Sequence, residues 1–122
     1  MINQPSVSIV LGTRPEAIKL APVIRHFKAC KKINTRVVLT GQHKEMVEQV
    51  MDLFDLVSDY NLGLMTPKQT LTHVTSSVLN GLREEFKNNR PELVLVQGDT
   101  TTAFAAALAS FYEKIQKSKR TS

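Results

Sequence analysis

Val7-Ser8-Ile9-Val10-Leu11-Gly12-Thr13-Arg14-Pro15-Glu16-Ala17-Ile18-Lys19 joins an apolar run to an amphipathic one through a glycine, a basic residue and a proline. The apolar run, bounded by Gly12, reads as a strand buried on both faces, Val7 to Leu11. Pro15 suits the first turn of a helix, where its missing N–H would have had no partner. A residue that precedes proline is biased away from helical backbone, which places Arg14 in the connecting loop. The product is a strand, a tight turn and a helix N-terminus with a cation beside it. Free N–H groups and the helix dipole both favour negative charge at such an end. The Arg14 guanidinium adds a fork of donors that fits phosphate or carboxylate oxygens. On local physics alone the turn equally fits any strand-to-helix connection with Arg14 solvated, because one Gly-x-Arg-Pro turn is far less specific than a full phosphate loop.

The helix that follows carries Ala17, Leu20, Ile24 and Phe27 on one stripe, with Glu16, Lys19, Arg25 and Lys28 elsewhere. Pro22 inside it predicts a kink or two helical segments near Ala21. Arg36-Val37-Val38-Leu39-Thr40 is a second strand, ended by Gly41, and Met46, Val47, Val50, Met51 and Phe54 mark a second helix. Asp55–Thr66 reads mostly as loop, with Tyr60-Asn61-Leu62 a short strand at most. Leu71, Val74, Val78, Leu82 and Phe86 recur at helical spacing and predict a long helix from Thr70 to Asn89, stopped by Pro91. Leu93-Val94-Leu95-Val96 is the next strand. Gln97-Gly98-Asp99-Thr100-Thr101-Thr102 leads from it into Ala103–Tyr112, with Thr100 or Thr101 suited to cap that helix. The Ala103–Tyr112 helix has almost no polar face, so in a lone domain one of its sides should lack a partner and favour self-association.

Strands alternating with helices mean a parallel sheet with right-handed crossovers. Ligands of such sheets sit beyond the carboxyl ends of the strands, where the strand order reverses. Three of the strand ends carry glycine plus polar residues: Gly12-Thr13-Arg14, Gly41-Gln42-His43 and Gly98-Asp99-Thr100. Their polar groups should converge on one rim.

Composition narrows the classes. The chain has 122 residues, 42% hydrophobic and 22% charged, as expected of one globular domain with a real core. Its net charge of +5 is concentrated in Lys114–Ser122, where Lys114, Lys117, Lys119 and Arg120 meet no acid. The first 113 residues hold 12 basic against 11 acidic residues, which argues against a nucleic-acid surface. Cys30 is the only cysteine, so no internal disulfide is expected and a reducing compartment fits. Met1-Ile2-Asn3-Gln4-Pro5 lacks the pattern of a signal peptide. Ala103–Ala109 is too short to span a membrane, and the expected location is cytoplasmic. No His/Cys cluster has metal-ligand spacing, and His26 and His73 read as surface or structural residues.

Taken together, Gly12-Thr13-Arg14-Pro15-Glu16-Ala17-Ile18-Lys19, Thr40-Gly41-Gln42-His43 and Val96-Gln97-Gly98-Asp99-Thr100-Thr101-Thr102 resemble the non-hydrolysing UDP-N-acetylglucosamine 2-epimerases. The resemblance runs from Val7 to Ile115. It implies a Rossmann-like parallel α/β sheet flanked by helices, the N-terminal half of a two-domain enzyme of the glycosyltransferase-B type with its site in the cleft between domains. It also implies the interconversion of UDP-N-acetylglucosamine and UDP-N-acetylmannosamine, by elimination of UDP to a 2-acetamidoglucal and re-addition with C2 inverted. No nicotinamide cofactor or metal is implied. The partners would be UDP-N-acetylglucosamine and UDP, with no nucleic acid and no membrane, and a homodimer in full-length members.

By the same resemblance Asp99, Lys19 and Arg14 are catalytic positions, with the two cations near the diphosphate and Asp99 an acid/base. Gly12, Thr13, Arg14, Gln97, Gly98 and Thr100 would bind substrate. Gln42 and His43 match a segment that helps hold a second, regulatory UDP-N-acetylglucosamine in bacterial members, although Glu45 and Lys68 stand where some members carry Gln and Arg. From the residues alone, Asp99 also fits a helix cap, Lys19 a solvated helix face and His43 a plain helix start. Beyond Ile115 the family continues into a strand with a further catalytic glutamate, whereas this sequence reads Gln116-Lys117-Ser118-Lys119-Arg120-Thr121-Ser122. The expectation is therefore an N-terminal domain over 7–115 with a basic tail over 116–122, truncated before the second, UDP-binding domain and inactive alone. A stand-alone nucleotide-sugar or phosphate-binding module and an inert fragment are the readings from other classes.

Overall fold

The computed structural model describes residues 4–41, 43–64, 70–98 and 100–120. β1 (Ser6–Leu11) runs through the middle of the molecule, and α1 (Arg14–Ala29) carries the chain to β2 (Asn34–Leu39) at its side. α2 (Lys44–Leu53) leads on to the two-residue β3 (Tyr60–Asn61). α3 (Leu71–Asn88) then crosses back to β4 (Leu93–Gln97) on the opposite flank of β1, and α4 (Thr101–Tyr112) leads to β5 (Gln116–Arg120). The sheet is parallel throughout, in the order β3-β2-β1-β4-β5. Parallel neighbours need a crossover, and here α1, α2, α3 and α4 supply them.

Alternation along each strand separates two cores. Ile9, Leu11, Val37, Leu39 and Leu95 face one side, where Ala17, Leu20 and Ile24 of α1 and Val47, Val50 and Met51 of α2 cover them. Val10, Val38, Val94 and Val96 face the other, under Val74, Val78, Leu82 and Phe86 of α3 and the alanines of α4. A strand covered on both faces has no polar side to show, which is why β1 is apolar from Val7 to Leu11 except at the buried Ser8.

Three differences from the sequence expectation have physical causes. Pro22 leaves α1 a single helix. Pro22 and Ile18 both lie on the exposed face, so the Ile18 carbonyl that loses its partner can turn to water. Arg14 is the first residue of α1 and not a loop residue, because the Ala17 N–H closes the first turn onto the Thr13 carbonyl at 3.1 Å. Gln116–Arg120 forms β5, whose register pairs Leu93 with Gln116 and Gln97 with Arg120. A sequence without apolar alternation gives no strand signal, yet lysine-rich segments suit a sheet edge.

Candidate functional site

β1 and β4 are neighbours, but the chain leaves them toward opposite flanks of the sheet. Such a reversal parts the two following loops and opens a crevice beyond the carboxyl ends of the strands. Gly12 and Thr13 follow β1 on one side of it, and Gly98 and Thr100 follow β4 on the other. Gly41 and His43 follow β2 on the same rim.

Between the first two loops lies the carboxylate of Glu16, only 3% exposed. Its Oε1 accepts from the Gly12 N–H at 2.7 Å and from the Thr13 N–H at 3.0 Å. Its Oε2 accepts from the Thr100 hydroxyl. Thr100 Oγ1 accepts in turn from the Ala103 N–H at 3.1 Å and so caps α4. Burying a charge is costly unless it is hydrogen-bonded, and here the donors and the N-terminal dipole of α1 offset that cost. The anion that this helix end attracts is thus the protein's own. Sequence reasoning placed Glu16 merely off the apolar stripe of α1. The available signal was Thr13-x-x-Glu16, the spacing at which a helix-start glutamate reaches back to the capping residue. Thr13 itself is extended (φ −130°, ψ 162°), and its Oγ1 is buried without a hydrogen-bond partner.

The other sequence-predicted residues divide by position. Arg14 is exposed at the first helical position, beside the Gly12–Thr13 turn. Lys19 is also exposed, but five residues on it lies about 7.5 Å further along the helix and roughly 140° around it. Among the described residues neither cation forms an ion pair. Gln97 is buried at the end of β4. Gly98 has φ +76° and open space where a side chain would stand, so a ligand can approach its backbone closely. Gly41 is different. At φ +93° a Cβ would lie 2.7 Å from Asn61 Oδ1 and 2.9 Å from the Leu64 N, so its glycine serves the packing of the 61–64 segment under the rim. His43 precedes α2, exposed and without a side-chain cap bond. Asp99 and Gln42 lie outside the described residues. Among the described residues no three His, Cys, Asp or Glu side chains gather as a metal site would require, and no helix is long and apolar enough to cross a membrane.

Residues 25–117 match the model of the family described as UDP-N-acetylglucosamine 2-epimerase. The chain is 48% identical over 109 residues to the UDP-N-acetylglucosamine 2-epimerase of Bacillus subtilis, covering 89% of this chain and 29% of that protein. Against the crystal structure of the Neisseria meningitidis UDP-GlcNAc 2-epimerase bound to UDP-GlcNAc the TM-score is 0.90 at 46% identity, over 93% of this chain and 31% of the other. The Methanocaldococcus jannaschii enzyme in complex with UDP-GlcNAc and UDP superposes with a TM-score of 0.86 at 32% identity, over 93% of this chain and 32% of that one. The chain therefore spans about a third of the length of these proteins or less, and it corresponds to a Rossmann-like half of their fold. With the family model covering most of its length and the rim loops at the sheet's reversal point, the chain belongs to the UDP-N-acetylglucosamine 2-epimerase family.

Proposed function

We propose that this chain provides one wall of the active site of a UDP-N-acetylglucosamine 2-epimerase, and that its 122 residues do not complete the reaction by themselves. The observation that carries this reading is the meeting of the Gly12–Thr13 turn and Thr100, through Glu16, at the crevice between β1 and β4, in a chain of that family. The reaction takes a proton from C2 of the sugar and releases UDP from C1 to leave a 2-acetamidoglucal. Re-addition of UDP at C1, with a proton delivered to the opposite face of C2, gives the mannosamine epimer.

Charge builds on the departing diphosphate, and a fixed cation aimed there lowers the barrier. Arg14, exposed beside the Gly12–Thr13 turn, is suited to that task, and Lys19, on a different side of α1, would have to bend back toward the crevice to share it. Asp99, between Gly98 and Thr100 in sequence, would exchange the proton. Gly12, Thr13, Gln97, Gly98 and Thr100 would shape the substrate-binding wall, and Gln42 with His43 would serve a second, regulatory nucleotide sugar. The active protein would work in the cytoplasm without cofactor, nucleic acid or membrane, and as a homodimer. Exposed Phe104 and Tyr112 on α4 support an apolar contact between copies.

Incubating the chain with UDP-N-acetylglucosamine in heavy water, and following the C2 proton by NMR, tests the reading. The expected result is an unchanged C2 signal, together with UDP-induced shifts of the Arg14 and Thr100 amides. Exchange at C2 with mannosamine product would show one wall to be sufficient. No shift at either loop would remove this rim as a nucleotide-sugar surface.

A further inference from the structure

We infer that Glu16 is a positioning residue, whose buried carboxylate locks the Gly12–Thr13 turn, from which Arg14 opens α1, to the loop carrying Thr100. This inference rests on the nucleotide-sugar reading of the rim and adds to it the device that sets the rim's width.

The two loops lie 84 residues apart in sequence at the Glu16–Thr100 bond. β1 and β4 are directly paired only from Val7 to Ile9 on one strand and from Leu93 to Leu95 on the other, so the strand ends beyond them need another tie. Glu16 supplies it with one oxygen on each side. Oε1 takes both N–H groups of the Gly12–Thr13 turn, and Oε2 takes the Thr100 hydroxyl. Thr100 is itself held by the Ala103 N–H, so the tie reaches into the first turn of α4.

An open glycine turn offers its N–H groups to a phosphate, but here those of Gly12 and Thr13 are already donated to a carboxylate. A diphosphate on this rim is therefore read by side chains, Arg14 first, and a second anion placed on the turn itself would meet the charge of Glu16. The spacing between Arg14, at the start of α1, and the Thr100 loop then decides whether a diphosphate and the sugar beside it can be touched at once. A purely structural role would hold the fold without setting that spacing.

NMR titration with UDP separates the two, on the wild-type chain and on Glu16→Ala, Glu16→Gln and Thr100→Val. Glutamine keeps an oxygen for the two turn N–H groups and can donate its amide N–H to Thr100 Oγ1, so it preserves the tie without the charge. Loss of a charged hydrogen-bond partner predicts that Glu16→Ala binds UDP about tenfold more weakly, with Glu16→Gln within about threefold of wild type. Thr100→Val cuts the tie while leaving Glu16 on the turn, so it tests the same point should Glu16→Ala fail to fold. In that variant the Gly12 and Thr13 amides should move although the substitution lies on the other loop. A folded Glu16→Ala or Thr100→Val with wild-type UDP affinity, or Gly12 and Thr13 amides unmoved in Thr100→Val, would overturn the inference and leave the proposed function standing. A wild-type chain that ignores UDP would instead sink the functional reading. The inference would then be read from the amides alone: faster exchange at Gly12 and Thr13 and a shifted Ala103 in Glu16→Ala uphold the tie, and an unmoved Ala103 refutes it.

Discussion

Arg36 reaches from β2 to α3, where its Nε lies 2.5 Å from Glu85 Oε2 and its Nη2 3.1 Å from Oε1. Glu85 is 3% exposed at its side chain and Arg36 28%. The paired hydrogen bonds to Glu85 raise the Arg36 pKa above its ordinary value, burial opposes them, and the Glu85 and Asp59 charges add to the rise. A raised pKa on a base contributes stability that is complete below the unfolded value and lost only above it, so this cation stays charged through the whole neutral range. Arg36→Met would leave the Glu85 carboxylate buried without its cation, and should cost about 2–3 kcal/mol in urea unfolding. Arg36→Met combined with Glu85→Leu should recover most of that loss; a double variant as unstable as the single would show that the pair itself, and not the stranded charge, is what matters. The two rim glycines give a second contrast. Gly98→Ala meets only a left-handed backbone at φ +76° and should cost about 1–2 kcal/mol. Gly41→Ala adds a clash with the Leu64 backbone nitrogen at 2.9 Å and should cost about 3 kcal/mol or more. Equal losses in thermal unfolding would mean that the 61–64 segment yields.

Among the elements, α4 behaves as its composition dictates. Ala103, Ala105, Ala106 and Ala109 are small enough to lie close against the sheet and α3, while Phe104 and Tyr112 are 62% and 61% exposed. The expected outcome is concentration-dependent association in sedimentation velocity, weakened by Phe104→Glu; a wild-type monomer at every concentration would refute the contact. That exposed side was readable in the sequence because no residue of Ala103–Tyr112 is charged. So were β1, β2, β4 and the long α3, each with a period or an apolar run that survives without tertiary context. β5 was not readable, since Gln116-Lys117-Ser118-Lys119-Arg120 has no apolar period and gains its strand only from pairing with β4. Glu16 was missed for a related reason. Its partners Gly12 and Thr13 are local and follow from the capping spacing, but Thr100 lies 84 residues away in sequence and only the fold brings it near. The rim loops were legible because glycine at a strand end leaves a mark in sequence, whereas the bonds that fix their separation do not.

At the scale of the whole molecule, the sheet is covered on both faces, and what remains to be protected is its edges. β3 closes one flank with two residues, and β5 closes the other along the full length of β4. Without β5, the unpaired N–H and C=O groups of Leu93-Val94-Leu95-Val96 would form an open apolar edge, the kind that templates pairing with another chain. Ile115, 6% exposed, is packed into the core under α3 and α4, so the segment is anchored at its start as well as along its ladder. Removing residues 116–122 should therefore lower the urea midpoint and also raise light scattering at temperatures where the intact chain stays clear. Were the shortened chain as stable and as clear as the intact one, β5 would be an appendage, and the edge of this sheet would lie at β4.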